Sequence, residues 1–140
     1  MAPPATLSAI RNALATQLAA QITGLRASGS LVGQVNPPYA IVAPATGQII
    51  TYVDMSGSVE WHLQVILLAS AADEPDSQIL MDGYLAPGGT QSVNQAINHD
   101  TTLGGIAEYA VLTGAQRYGL MPWGALQYLG CHFLVTVGAR

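Results

Sequence analysis

Lysine is absent from the 140 residues, and the only permanent cations are Arg11, Arg26, Arg117 and Arg140. That excludes a protein that grips a nucleic-acid backbone through a basic stripe, because such binding draws its affinity from clustered cations that release counterions. DNA near this chain is tolerated rather than bound. Charge of either sign is scarce: 9% of residues are Asp, Glu, Lys or Arg, where about 25% is usual for a globular domain. A single cysteine, Cys131, excludes an internal disulfide framework, and its apolar strand-like setting suits a small buried residue. No apolar run approaches the roughly 18 residues needed to span a bilayer. The N-terminus has no basic segment followed by an apolar core, so the expected compartment is the cytoplasm in which the protein is made, or a particle assembled there. No Gly-x-Ser-x-Gly elbow, Cys-x-x-Cys pair, HExxH helix or phosphate-binding loop occurs, so no catalytic residue, metal or cofactor is expected.

What the chain has instead is apolar surface in excess. Half of it is hydrophobic, and at this length one domain, spanning 1–140, is expected to bury roughly 70% of the surface its unfolded chain exposes. The remainder carries too little charge for a free monomer. Large bare apolar patches usually mark contact with another protein, which points to an assembly component.

The pattern along the chain gives the fold class. From Ala5 to Arg26 the residues Leu7, Ile10, Leu14, Leu18, Ile22 and Leu25 recur at three- and four-residue intervals, predicting an amphipathic helix capped by Thr6 or Ser8 and closed by "ASGS". "PPYAIVAP" predicts a short strand, bounded by prolines, at a sheet edge. "GQIITYVDMSGS" predicts a strand running into a turn. In "SVEWHLQVILLAS", Val59, Trp61, Leu63, Val65 and Leu67 alternate with Glu60, His62 and Gln64. Ile66 and Leu68 then make the second face apolar too, so the strand is expected to be half-exposed first and buried on both sides later.

The acidic run that follows, Asp73, Glu74 and Asp76 around Pro75, has the composition of a helix start. Carboxylates there accept orphan backbone N–H groups and meet the positive end of the helix dipole. A helix is expected over "DSQILMDGYL", its spaced residues being Ile79, Leu80, Gly83 and Tyr84, then a short helix capped by Thr90 or Ser92. "GIAEYAVLTGAQRYG" and "LQYLGCHFLVTVGA" predict two closing strands, the last burying Leu129, Cys131, Phe133, Val135 and Val137. "RYGLMPWGALQ" between them is expected to be a loop. The fold class is α+β: a mainly antiparallel β-sheet with an N-terminal helix and a mid-chain helix packed on one face.

Taken in this order, the "LSAIRNALATQLAA" helix, the "NPPYAIVAP" strand, the long "SVEWHLQVILLAS" strand, "DSQILMDGYL" with "GTQSVNQAI", and the final "YLGCHFLVTV" strand resemble the tail terminator proteins of long-tailed, siphovirus-type bacteriophages, those of actinobacterial phages in particular. The resemblance runs through the whole chain. It implies a virion protein of the neck region that forms a ring, usually a hexamer, on the head-proximal end of the tail tube. There it would end tube polymerisation and join the tube protein to the head connector or head-closure protein, with DNA passing through the lumen. The nearest alternative is another neck protein, a head-closure or tail-completion subunit. An alternative of a different class is a small ligand-binding or metal-dependent dimer built on His62, His132 and Glu60, which converge only if their strands are neighbours.

Large apolar residues outside the periodic core pattern mark the expected subunit or tube interface: Ile49, Ile50, Tyr52 and Met55 in the first turn region, and Leu120, Met121 and Trp123 in the second. Met and aromatic residues are enriched at interface centres, and Trp is a frequent anchor.

Overall fold

In the computed structural model, residues 6–30, 33, 35–53, 57–71 and 77–139 are described. They form α1 (Leu7–Gln21), β1 (Arg26–Ser28), β2 (Tyr39–Pro44), β3 (Ile50–Tyr52), β4 (Val59–Ala71), α2 (Ser77–Leu85), α3 (Val93–Asn98), β5 (Tyr109–Trp123) and β6 (Leu126–Ala139). The six strands make one sheet in the order β1-β2-β4-β6-β5, with β3 also pairing β4. Among the described residues, only the β1–β2 pairing is parallel. The fold is therefore α+β, as the periodicity predicts. Among the described residues no helix is long and apolar enough to cross a membrane.

The centre of the sheet is the antiparallel pair β4–β6, in register from Val59 opposite Ala139 to Ala71 opposite Tyr128, with one irregularity between Leu68 and Ser70. Alternation puts Leu63, Val65 and Leu67 of β4 on the same face as Cys131, Phe133, Val135 and Val137 of β6, all essentially sealed from solvent. Ile10, Leu14 and Leu18 of α1, Met81 and Tyr84 of α2, and Val93 and Ile97 of α3 cover this face. Removing one large side chain from such a core costs about 3–5 kcal/mol for Phe to Ala.

Among the described residues, no helix packs on the second face. Its half nearest the end of β4 is closed by Val35, which joins Ile41 and Ala43 of β2, Ile66 and Leu68 of β4, and Tyr128 of β6 in a smaller cluster. This is why β4 turns apolar on both sides at Ile66.

Thr6 caps α1, its hydroxyl accepting from the Ala9 amide at 3.2 Å. The helix stops earlier than its apolar spacing suggests. Ile22 is extended at φ −110°, and Gly24 at φ +84° turns the chain into β1. Ile22 and Leu25 still enter the core, so their spacing reported burial correctly and helix incorrectly. Since β1 lies outside β2, the proline-bounded strand is an inner one along part of its length.

"RYGLMPWGALQ" is not a loop. β5 runs through it to Trp123, and a two-residue turn at Gly124–Ala125 joins it to β6 with Trp123 opposite Leu126. Gly124 at φ +62° meets the demand of a tight hairpin for a positive-φ residue in first position.

Helix α3 begins at Ser92, whose hydroxyl accepts from the Gln95 amide at 3.1 Å. Its other end is held by α1: the Gln17 side-chain amide donates to the carbonyls of Ala96, Ile97 and Asp100 at 2.9, 3.1 and 3.0 Å. The Ala96 and Ile97 carbonyls belong to the last turn of the helix, which lacks intrahelical donors, and the Asp100 carbonyl lies just beyond it. Gln17→Leu keeps the side-chain bulk and removes the donor. Chemical denaturation is expected to show a loss of about 1–3 kcal/mol, with faster amide exchange around residues 96–100; an unchanged midpoint would show that water serves these carbonyls equally well.

Candidate assembly surface

Three short segments position the exposed apolar residues. β2 and β3 follow one another along the same side of β4, β2 opposite residues 63–68 and β3 opposite 59–61. The chain between them leaves the sheet and returns at His62, whose carbonyl accepts from Ala45 N at 2.9 Å and whose amide donates to Ile49 O at 2.7 Å. Ile50 points into the main core, opposite Trp61. Ile49, Tyr52 and Val53 stay outside, Tyr52 with 76% of its surface exposed. Met55 lies outside the described residues.

The second group lies at the free end of the β5–β6 hairpin. Leu120 and Leu126 are 61% and 62% exposed. Met121 and Trp123 instead pack against the smaller core cluster. Alternation explains the split: Met121 stands opposite Tyr128 and Trp123 opposite Leu126, whereas Leu120 stands opposite Leu129 on the other face. The candidate interface thus divides into outward residues, Ile49, Tyr52 and Leu120, and inward ones, Ile50, Met121 and Trp123.

Helix α2 adds a residue that periodicity assigned to the core. Met81 and Tyr84 are the buried positions, and Ile79 faces outward with 73% exposure. The i, i+3 spacing of Met81 and Tyr84 was the available signal. Asp82, one turn from Ile79 on the same helix side, accepts a hydrogen bond from the Tyr118 hydroxyl at 3.2 Å. Ile79, Tyr118 and Leu120 are thereby brought to one region of the surface. The acidic run Asp73, Glu74 and Asp76 lies outside the described residues.

The two apolar groups occupy opposite corners of the sheet. β3 lies beyond β4 and β5 beyond β6, so about 14 Å of strand spacing separates them laterally. Trp61, beside β3, stands opposite Val137, and Leu120 stands opposite Leu129, which adds about 26 Å along the strands.

The outer strand β5 is interrupted by register shifts between Leu112 and Gly114 and between Gln116 and Gly119. Arg117 within the second takes φ +60°, a conformation costly for a residue with a Cβ. Pro122 lacks an N–H. Bulges, a charge and a proline are the devices that stop an edge strand from recruiting another chain.

Between the corners, the helix-free face presents a polar set. Gln48 Nε2 donates to Thr51 Oγ1 at 2.9 Å, and the Thr51 hydroxyl shares a hydrogen bond with His62 Nε2 at 2.7 Å. The Tyr109 hydroxyl donates to Glu60, and that bond raises the phenol to about 12. His62 and His132 do share this face, but His62 stands opposite Thr136 and His132 opposite Ile66, about 13 Å apart along the strand. No group of three or more His, Cys, Asp or Glu among the described residues is placed to hold a metal ion. Gln64 Oε1 and His132 Nδ1, on diagonal positions of neighbouring strands, have no hydrogen-bond partner among the described residues. Cys131 is buried, and burial pushes its thiol up, away from a reactive thiolate. Among the described residues these polar groups are spread along the face and not gathered at one point.

Compared with known proteins, the chain matches no family model and no curated sequence.

Burial, and then the Arg117 charge, hold His132 below its ordinary value of 6.5. The unfolded chain therefore takes up this proton first. Stability from this group is complete above about pH 6.5, falls as the pH drops below it, and stops changing below the folded-state value. Asp100, lowered by hydrogen bonds from Thr102 and Gly104, acts in the carboxylate range. Urea midpoints measured from pH 7.5 to 4.5 should fall less steeply in His132→Gln than in the parent; identical slopes would exclude His132 as the cause.

Proposed function

We propose that the protein is a tail-terminator-type ring subunit of a long-tailed bacteriophage. Copies of it, six to a ring, cap the head-proximal end of the tail tube, stop its polymerisation and offer a platform to the head connector. The site of action is the neck of the virion, after assembly in the host cytoplasm. The observation that carries this reading is the pair of exposed apolar groups, Ile49 with Tyr52 and Val53 at one corner of the sheet and Ile79 with Tyr118 and Leu120 at the other. A chain this poor in charge has little to keep two such corners in water, and two different patches on one subunit suit a repeating contact that closes on itself.

The charge distribution supports the second half of the reading. A channel for DNA needs walls that do not hold phosphates, and this chain has no lysine and four arginines against eight acids. Three of those arginines, Arg11, Arg26 and Arg117, fall on three different elements, α1, β1 and β5.

Native mass spectrometry of the purified chain is expected to give a closed species near six copies of the 14.5 kDa subunit. Added to polymerising tube protein, these rings should stop growth and appear at one tube end by electron microscopy. Duplex DNA at physiological salt should not bind in the sub-micromolar range. Rings that ignore tubes but attach to portal complexes would make the protein a head-closure subunit. A compact dimer with no larger species would remove the ring altogether.

A further inference from the structure

We propose that residues 113–118 of β5 open and close as a unit while both ends of that strand stay fastened to the sheet. The ends are fastened by side chains laid across two glycines of β6. Tyr109 crosses Gly138 to place its hydroxyl on Glu60 of β4, and a methyl added at Gly138 would fall within the Tyr109 ring. Met121 crosses Gly130 in the same way and so packs against the smaller core. Each end of the outer strand is thereby tied past its neighbour as well as by its ladder.

Between these ties the strand is held loosely. Register shifts bracket the segment, one between Leu112 and Gly114 and one between Gln116 and Gly119, and each interrupts the ladder. None of residues 113–118 is buried, although alternation turns Ala115 towards the helix-covered face, opposite Phe133. The helices leave an open cleft of about 280 Å³ there, with Leu85, Pro87 and Asn94 on one side and residues 112–115 on the other. Few apolar contacts are therefore lost when the segment lifts, which is the condition for local opening well below the cost of unfolding. Arg117 at φ +60° adds backbone strain that lifting relieves.

Three side-chain hydrogen bonds hold the segment shut. The Thr113 hydroxyl donates to the Leu134 carbonyl at 3.2 Å, the Cys131 thiol to the Gln116 carbonyl at 3.4 Å, and the Tyr118 hydroxyl to Asp82 of α2 at 3.2 Å. The Tyr118–Asp82 bond is the catch, since it alone of the three ties the segment to a helix. When the segment is shut, the Cys131 thiol is buried and protonated; opening frees it from Gln116 and bares it at the edge of β6. This movement is a property of the subunit, whatever the subunit assembles into.

The chain has one cysteine, so alkylation of Cys131 reads the opening directly. Iodoacetamide labelling of the purified protein, followed by mass spectrometry at fixed pH, is expected to run faster than global unfolding allows and to change little with sub-denaturing urea. Tyr118→Phe keeps the ring and removes the catch. It should raise the labelling rate about two- to tenfold, the worth of one hydrogen bond, and leave the weak urea dependence as it was. As a second measure, hydrogen exchange should find residues 113–118 exchanging ahead of 109–112 and 119–123. Tyr109→Phe, which unties one end, should bring 109–112 to the rate of the middle segment while 119–123 keep theirs. Labelling that proceeds only at the rate of global unfolding would overturn the proposal. So would a Tyr118→Phe chain that labels like the parent, or a parent in which all of β5 exchanges together.

Discussion

The antiparallel pairing of β4 with β6 is the constraint on which the other elements depend. Both strands are long, their ladder runs nearly their full length, and their shared face is a continuous row of Leu, Val, Cys and Phe that must be covered. Three helices supply the cover, and since all three lie on that face, the other is closed, among the described residues, by Val35 with Tyr39, Met121 and Trp123 at one end and by polar side chains at the other. The division of the second face into a buried half and a wet half follows from this. Where Val35 reaches, β4 carries Ile66 and Leu68; farther along, Glu60 and His62 are half-exposed, with the buried Gln64 at the boundary. Gly130 sits where β6 passes beneath Met121, and an added methyl there would meet the Met121 sulfur at 2.6 Å. The hairpin is thus seated on the smaller cluster by the absence of a side chain as well as by the packing of Trp123.

Much of this was legible because a strand's period of two is written in its residues. The long strand, its change of character at Ile66, and the buried row from Leu129 to Val137 can be read without coordinates. The misreadings have local causes. β1 is three residues long and pairs in parallel with a strand whose prolines imply an edge, so no alternation announces it. The hairpin was hidden by Gly119, Pro122 and Gly124, which signal a loop in isolation; on an outer strand with register shifts they are tolerated, since only one side of that strand needs to pair. Ile79 was assigned inward because a nine-residue helix offers too few turns for its stripe to be told from its neighbour.

The candidate surface was legible as composition and not as geometry. Seven large apolar residues outside the core pattern pointed to contacts, but alternation in β5, unseen while that segment was read as a loop, divides them. Leu120 and Met121 are neighbours in sequence and face opposite sides of the sheet. One is free for a partner, and the other completes the smaller core. Tyr118 gains its meaning only from Asp82, thirty-six positions earlier, a contact that no local pattern encodes.

An outer strand fifteen residues long is the feature of this fold most able to recruit unwanted partners, because its unpaired amides and carbonyls accept any extended segment. Its interruptions remove that option at a cost in backbone strain at Arg117 and in lost ladder bonds at the bulges. Such a cost is sensible in a chain with almost no surface charge to keep copies apart. With the edge closed to strand addition, what the sheet leaves exposed for contact is side chains, Tyr52 near one corner and Leu120 near the other. A sheet edge that added strands freely would build fibres of any length; a blunted edge with two unlike corners can be satisfied by a fixed number of copies.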